Sequence, residues 1–419
     1  MRSIGLDVHK DFAEVAEAVP GGGVQRVGRV RTTPESLRAF AERLGPNDQV
    51  ALEATINTFA IAKLLAEHAG RVVVSNPVRT RAIADAKIKT DKVDASVLAQ
   101  LLAADYLPSV WQPDETTQML RRLVARRARL VRQRTRLKNQ VHATLHRNLI
   151  SGCPATDLFG KRGRSWLKQI PLPTDERDAL ESNLRVLDLL GEELAQADAA
   201  CARAATSRSD VRRLMTIPGL DFAAALALVA AIGDVHRFGS PQQLVSYLGV
   251  DPRVRQSGNR PAQTGLHITK VGRAHARGML TEAAWSVART PGPLRAFFDR
   301  IRARRGPQIA VVALARKLAV LVWHLITREQ DYLWARPALM ASKYRRLELR
   351  AGAPHARGRR GPAASYWANA ETRQQDRAAG ATAEAEYRRF TAKWKPRLKP
   401  LDEEAPGQAK KSEVGVASP

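Results

Sequence analysis

Residues 2–30, RSIGLDVHKDFAEVAEAVPGGGVQRVGRV, decide how the chain begins to fold. Within them RSIGLDV at 2–8, AEVAEAV at 13–19 and VQRVGRV at 24–30 alternate in part between apolar and polar residues. Pro20 and three glycines break the chain before the third run. Short runs joined by short breaks read as a three-stranded antiparallel meander. Downstream the pattern becomes a helix over 34–44, a strand QVALE at 49–53, a helix over 57–69 and a strand RVVVS at 71–75. A helical stretch after Pro77 and a helix over about 91–105 follow. Local pairing followed by helix–strand alternation predicts an α/β domain with a mixed sheet over 1–110, in the element order of the ribonuclease-H-like fold.

Four acids fall at informative places on these elements. Asp7 ends the first strand, Glu53 ends the fourth, and Asp91 and Asp94 stand three apart in KTDKVDA, on one face of a helix. Carboxylates at strand ends converge on one sheet edge, and a helical pair can complete the set. Four hard oxygen ligands suit Mg²⁺ or Mn²⁺ rather than zinc, and two such ions would clamp the attacking and leaving oxygens of a phosphodiester. Each acid alone has a plainer reading: Asp7 as a turn residue, Glu53 as a solvated strand end, Asp91 as a helix N-cap. The combination is what points to metal. His9, His236, His267 and His275 show no ligand spacing and receive no role.

From 115 to 205 the pattern is helical. Leu123, Leu130 and Leu137 recur every seven residues, continued by Val141, Leu145 and Leu149, and Leu180, Leu184, Leu187, Leu190 and Leu194 mark a second amphipathic segment over 176–205. Gly152, Pro154, Gly160, Gly163, Pro171 and Pro173 predict a loop or turn between them. The pair suits an antiparallel arm or a dimerisation coiled coil. Nine basic residues and no acid lie between Arg121 and Lys138, among them Arg122, Arg126 and Arg129, which favours a nucleic-acid-facing surface over a merely solvated one.

A third, mostly helical domain is expected over 207–330. It opens on TIPGL at 216–220, which resembles the turn of a helix-hairpin-helix offering backbone N–H groups to a phosphate, or else is a tight interhelical turn. Apolar helices follow at 222–232, 274–289 and 308–327. Ser257 lies in SYLGVDPRVRQSGNR at 246–260, with Arg253, Arg255 and Arg260 placed to hold a phosphate beside its hydroxyl; a Ser-Gly is equally an ordinary turn. Residues 331–419 read as a basic, largely flexible tail, in which a few aromatics (Tyr366, Trp367, Tyr387, Phe390 and Trp394) leave room for a short ordered piece.

Lys and Arg total 68 against 41 Asp and Glu, a formal charge of +27 that calls for a polyanionic partner. Nucleic acid fits better than an acidic membrane, since the most apolar stretch, 309–326, is interrupted by Arg316 and Lys317. Cys153 and Cys201 form neither a CxxC pair nor a zinc motif, and no Walker loop or dinucleotide fingerprint is present. With no signal-peptide pattern at the start, a cytosolic protein is expected.

The blocks IGLDVHK, LEAT at 52–55, VVVSNPVRTRAIADAKIKTDKVDA at 72–95, TIPGLDFAAALALVAAIGD at 216–234 and SYLGVDPRVRQSGNR together resemble the DEDD insertion-sequence transposases. These pair a Holliday-junction-resolvase-like (RuvC-like) domain with a C-terminal transposase domain bearing a serine. The resemblance covers about residues 1–330. It implies that Asp7, Glu53, Asp91 and Asp94 bind the divalent metal and that Ser257 becomes covalently linked to a DNA end. The metal site of one subunit and the serine of another would form a composite active site in a homodimer or homotetramer, assembled through the helical arm. It also implies double-stranded DNA partners, the element ends and the target, a structured guide RNA, and work at the nucleoid of the bacterial cytosol. Two other readings remain: a resolvase-like nuclease using water, with Ser257 only a turn, and a nucleic-acid binder without catalysis. The second leaves four acids unexplained in a strongly basic protein.

Overall fold

The computed structural model describes residues 1–19, 21, 23–83, 90–254, 256, 267–354, 370–392 and 394. It divides into two compact units, Met1–Asp114 and Glu115–Pro419.

The first unit is built on a five-stranded mixed sheet of order β3-β2-β1-β4-β5: β1 Ser3–Val8, β2 Phe12–Ala18, β3 Val24–Arg31, β4 Gln49–Glu53 and β5 Arg71–Ser75. The meander pairs antiparallel, whereas β1–β4 and β4–β5 pair parallel, as the alternation predicts. The period-two pleat splits β1 between two faces. Ile4, Leu6 and Val8 enter a core with Leu37 and Phe40 of α1 (Pro34–Ala41) and Ile61 and Leu65 of α2 (Thr58–Leu65). A short α3 (Pro77–Ile83) follows β5. On the opposite face α4 (Asp91–Ala103) packs Leu98 and Leu102 on Ala51 and Val73. Gly5 makes that contact possible, because a Cβ there would stand 2.1 Å from the Ala95 carbonyl oxygen and 2.6 Å from the Ala99 nitrogen.

The second unit is helical. Its arm consists of α5 (Glu115–Arg147) and α7 (Thr174–Thr206), with α6 (Lys161–Gln169) between them, where the glycines and prolines predicted only a loop. Leu167 and Ile170 of that segment fill a cluster with Val141, Leu145 and Leu180, so its amphipathic side is what orders it. Within the chain α5 and α7 pack against each other as an antiparallel arm. Leu120 and Val124 at its base share a core with α8 (Ser209–Met215), the fully apolar α9 (Phe222–Ile232), α10 (Pro241–Leu248), α11 (Ala274–Val287) and α13 (Pro307–Thr327). The arm and the helices expected as a separate domain are thus one unit. By length and composition α13 is the one helix among the described residues able to cross a membrane, yet Ala310, Leu314, Leu318, Val322 and Leu325 form a stripe buried in this core.

Two further helices, α14 (Pro337–Ala351) and α15 (Ala370–Ala392), lie where a flexible tail was expected, which corrects that expectation for these segments. Asp376 of α15 is buried, pairs with Arg336 and accepts from the Ala338 N–H, while Tyr387 donates to Asp299 of α12 (Pro293–Arg305) at 3.1 Å. Composition alone hid these anchors.

The TIPGL turn joins α8 to α9 and is packed rather than presented. Thr216, Ile217 and Leu220 are buried, and at Gly219 (φ 81°) a Cβ would meet the Ser286 Cβ at 2.5 Å. Lys343 of α14 reaches in to donate to the carbonyls of Met215 (2.6 Å) and Ile217 (2.7 Å). A tight interhelical turn, not a phosphate-facing hairpin, is therefore what these residues make. Burial pulls the Lys343 ammonium down to about 8. Between about pH 8 and the unfolded value of 10.5 the unfolded chain holds a proton that the folded one lacks, so stability rises with pH through this window and is flat below it. Denaturant unfolding at pH 7.5 and 9.5 should show a gain in wild type, up to about 2 kcal/mol, that Lys343→Met lacks.

Candidate active site

Parallel register sets Leu6 beside Leu52, so the next residues, Asp7 one short of the end of β1 and Glu53 at the end of β4, lie on neighbouring strands spaced about 4.8 Å. By the pleat both share the α4 face with Gly5 and Ala51. α4 begins with Thr90 as N-cap, its side chain accepting from the Val93 N–H at 3.4 Å. Asp91 is therefore not the cap. It and Asp94 occupy the first helical turn, where the helix dipole favours anions.

The close approach of α4 to Gly5 lays that turn against Asp7. Burial raises the Asp7 carboxyl above its ordinary value, His9 opposes the shift, and the charges of Asp94 and Asp91 add to it. Glu14, paired opposite Asp7 across β1–β2, is neutralised by Arg29 at 2.5 Å and joins a different network.

The residue that sequence reasoning passed over is His9. Its Nε2 lies 3.1 Å from Asp7 Oδ2 and 3.3 Å from Asp91 Oδ2. Ligand atoms of Asp7, His9 and Asp91 all fall within 4.8 Å of one another; Glu53 and Asp94 are not members of that tight group. A spacing rule for histidines could not find this trio, since the third member arrives on a helix 82 residues after His9. The position itself, two residues past Asp7 at a strand end, was the available signal. Oxygen donors, an imidazole and a desolvated carboxyl crowded by other acids make a set that a divalent cation relieves.

The residue chosen as nucleophile, Ser257, lies outside the described residues, as do Arg255 and Arg260. The base of its loop is described. Pro252 bridges Ile268 antiparallel, the Arg253 N–H donates to the His267 carbonyl (3.0 Å), and the Thr269 N–H donates to Asp251 (2.8 Å). Gly249 (φ 71°) and Gly272 (φ 129°) let the two limbs close: a Cβ on either would stand 2.4 Å or less from a carbonyl oxygen. Arg253 and Arg273 flank the base, and the nearby acid Asp251 pairs with Arg316 at 3.3 Å.

The basic run of α5 does not act as one face. Arg121 is half-buried and donates to the carbonyls of Ala230 and Ala231 at the end of α9 (2.9 and 3.0 Å). Arg126 pairs with Glu193 (2.8 Å) and Arg127 with Asp198 (2.5 Å), anions that α7 supplies and the local sequence does not show. Arg122, Arg129, Arg132 and Arg136 are exposed and ion-pair with none of the described residues. Arg129→Gln should reduce the salt slope of nucleic-acid binding by about one ion with melting unchanged. Arg121→Gln should instead destabilise the second unit by about 2 kcal/mol, through two carbonyls left without their donor. Binding titrations across salt, with thermal melts, separate the two.

Comparisons with known proteins agree over both units. Residues 211–299 match the transposase IS116/IS110/IS902 family, and residues 4–149 match the DEDD transposases of the IS110 group. The transposase for insertion sequence element IS1111A of Coxiella burnetii is 28% identical over 257 residues, covering 58% of this chain and 68% of that one. The transposase for insertion sequence element IS1328 of Yersinia enterocolitica is 23% identical over 290 residues, covering 67% and 84%. The pilin gene-inverting protein of Moraxella bovis is 24% identical over 270 residues, covering 63% and 75%.

Proposed function

Since this chain belongs to the DEDD insertion-sequence transposases of the IS110 family and is a DNA transposase, we propose that it cuts and rejoins DNA with a metal-bound carboxylate site and a serine nucleophile. The observation that carries this is the docking of α4 on Gly5 through Ala95, Leu98 and Ala99, which brings the preceding turn, with Asp91 and Asp94, to Asp7 on the strand beside Glu53. The mixed sheet is consistent with a ribonuclease-H-like domain.

Asp7, Glu53, Asp91 and Asp94 hold the divalent cation, Mg²⁺ or Mn²⁺. Bound there, such an ion supplies Lewis-acid charge against which a phosphodiester's developing negative charge is stabilised. Asp7, fixed in the rigid β1, sets the position of the site, and the helical pair closes it from the side. Ser257 attacks phosphorus: its Oγ–P bond forms as a P–O bond to the sugar breaks, conserving the bond as a phosphoserine that a later DNA hydroxyl can attack. Arg253, Arg255 and Arg260 hold the phosphate and balance its charge. Arg122, Arg126 and Arg129 contact nucleic-acid backbone, with Arg126 exchanging Glu193 for phosphate; Arg121 serves that surface by holding the arm to α9.

The metal site and Ser257 of different subunits work together in a homodimer or homotetramer. Val186 and Leu189 on α7, apolar yet 41% and 58% exposed, favour the arm as the place of assembly. A structured guide RNA, along with the element-end and target DNA, occupies the basic surface, in the bacterial cytosol at the nucleoid.

The test incubates the protein with element-end DNA, flanking noncoding RNA and Mg²⁺ or Mn²⁺, then seeks protein-linked DNA on a denaturing gel. A covalent adduct lost in both Ser257→Ala and Asp7→Ala supports the reading. Cutting without an adduct, equally strong in Ser257→Ala, transfers it to a nuclease that uses water.

A further inference from the structure

His9 is the feature of this site that the four acids leave unexplained. Both its backbone and its ring are tied to Phe12. The His9 backbone N–H donates to the Phe12 carbonyl at 2.8 Å, closing the tight β1–β2 turn. The imidazole lies 5.0 Å from the Phe12 ring at an interplanar angle of 31°. The Arg29 guanidinium covers Phe12 at 4.4 Å and is anchored in turn by Glu14. Such bracing is costly in side-chain freedom for a residue that only faces solvent, and it aims one nitrogen between two carboxylates.

The distances carry the inference. Cis ligands of an octahedral ion, each about 2.1 Å from the metal, are about 3.0 Å apart. His9 Nε2 stands 3.1 Å from Asp7 Oδ2 and 3.3 Å from Asp91 Oδ2. The imidazole nitrogen thus stands at cis-ligand spacing from an oxygen of each carboxylate, and the ligand atoms of all three residues lie within 4.8 Å of one another.

We propose that His9 is itself a ligand, its Nε2 binding the same ion as Asp7 and Asp91, so that this centre holds a mixed nitrogen–oxygen site preferring Mn²⁺ over Mg²⁺. The inference rests on the metal-site reading above and adds a ligand of a different kind to it. Neutral imidazole with its proton on Nδ1 offers a lone pair at Nε2, and Nε2 is the nitrogen found at the carboxylates. Imidazole favours first-row transition ions, whereas Mg²⁺ takes oxygen donors and water. A carboxylate-only site would also bind Mn²⁺ somewhat more tightly, so the preference is read as a change on removing the imidazole.

Pulsed electron paramagnetic resonance of Mn²⁺ bound to the full-length protein without DNA tests this directly. The variants are wild type, His9→Gln and Asp7→Asn, with Mn²⁺ and Mg²⁺ affinities measured by competition for the same site. His9→Gln keeps a polar side chain at a partly exposed position and removes the ring nitrogen. Directly bonded nitrogen-14 coupling in wild type, absent in His9→Gln, together with at least a fivefold fall in the Mn²⁺-to-Mg²⁺ affinity ratio, is the expected result. Stoichiometric Mn²⁺ lost in Asp7→Asn, but with no nitrogen coupling in wild type, overturns the His9 ligand and leaves the carboxylate site standing. Failure of wild type to bind Mn²⁺, or equal binding by Asp7→Asn, overturns the metal site and this inference with it.

Discussion

Asp7→Asn is expected to abolish strand cleavage, by at least about a thousandfold, and at the same time to make the ion-free protein harder to melt. The first effect follows from removing a charge at the one position where strand end, helix turn and imidazole meet, an electrostatic contribution of several kcal/mol to the reaction. The second follows from the direction of the Asp7 shift. Burial and the charges of Asp94 and Asp91 outweigh the help from His9, so the ionised side chain is worse off folded than unfolded at neutral pH. An amide of the same shape removes that penalty and can still bond His9. Melting in a chelator, beside a cleavage assay, reads both. A variant that loses cleavage and melts lower than wild type would show Asp7 to be a structural anion instead.

Gly5→Ala is the second large effect, and it is steric. The added methyl would sit 2.1 Å from the Ala95 carbonyl oxygen, a backbone atom in mid-helix that no rotamer change can move. Helix α4 must lift from the sheet, at a cost of about 3–5 kcal/mol to the first unit. Because Asp91 and Asp94 ride on α4, even protein that still folds should lose most of its Mn²⁺ affinity. Gly191→Ala, on the arm where a Cβ would meet nothing within 4 Å, is the control and should change neither property. Unaltered Mn²⁺ binding in Gly5→Ala would show that the helical acids do not depend on this contact.

The sheet was legible because β1, β2, β4 and β5 each announce themselves by alternation or a short apolar run between breakers, and their order follows from which connections hold helices. Asp7 and Glu53 could be placed at strand ends for the same reason. What could not be read was anything fixed by a neighbour distant in sequence. The local exception is the cap of α4, which Thr90 takes in place of Asp91. The acids that meet Arg126 and Arg127 arrive on α7. His9 has meaning only after α4 returns to it, and α15 is ordered by Asp376 and Tyr387 finding partners on α14 and α12, not by its own composition. Of the serine motif only the loop base is described, and its two glycines, Gly249 and Gly272, have a steric reason that the sequence does not show.

The packing of α4 on β1 also has a bearing on when the enzyme can act. Its two halves leave the ribosome at different times, Asp91 following Asp7 only after both parallel strands have emerged. On the proposed metal-site reading, a nascent chain would carry only part of the ion's ligand set until residues 91–103 emerge and dock, since domains fold as units during synthesis. Stalled chains ending before Thr90 should retain no Mn²⁺, while chains with α4 fully exposed should. Translation order would then act as a two-stage safety catch, the ion held only after α4 has docked and the serine supplied only later in the same chain.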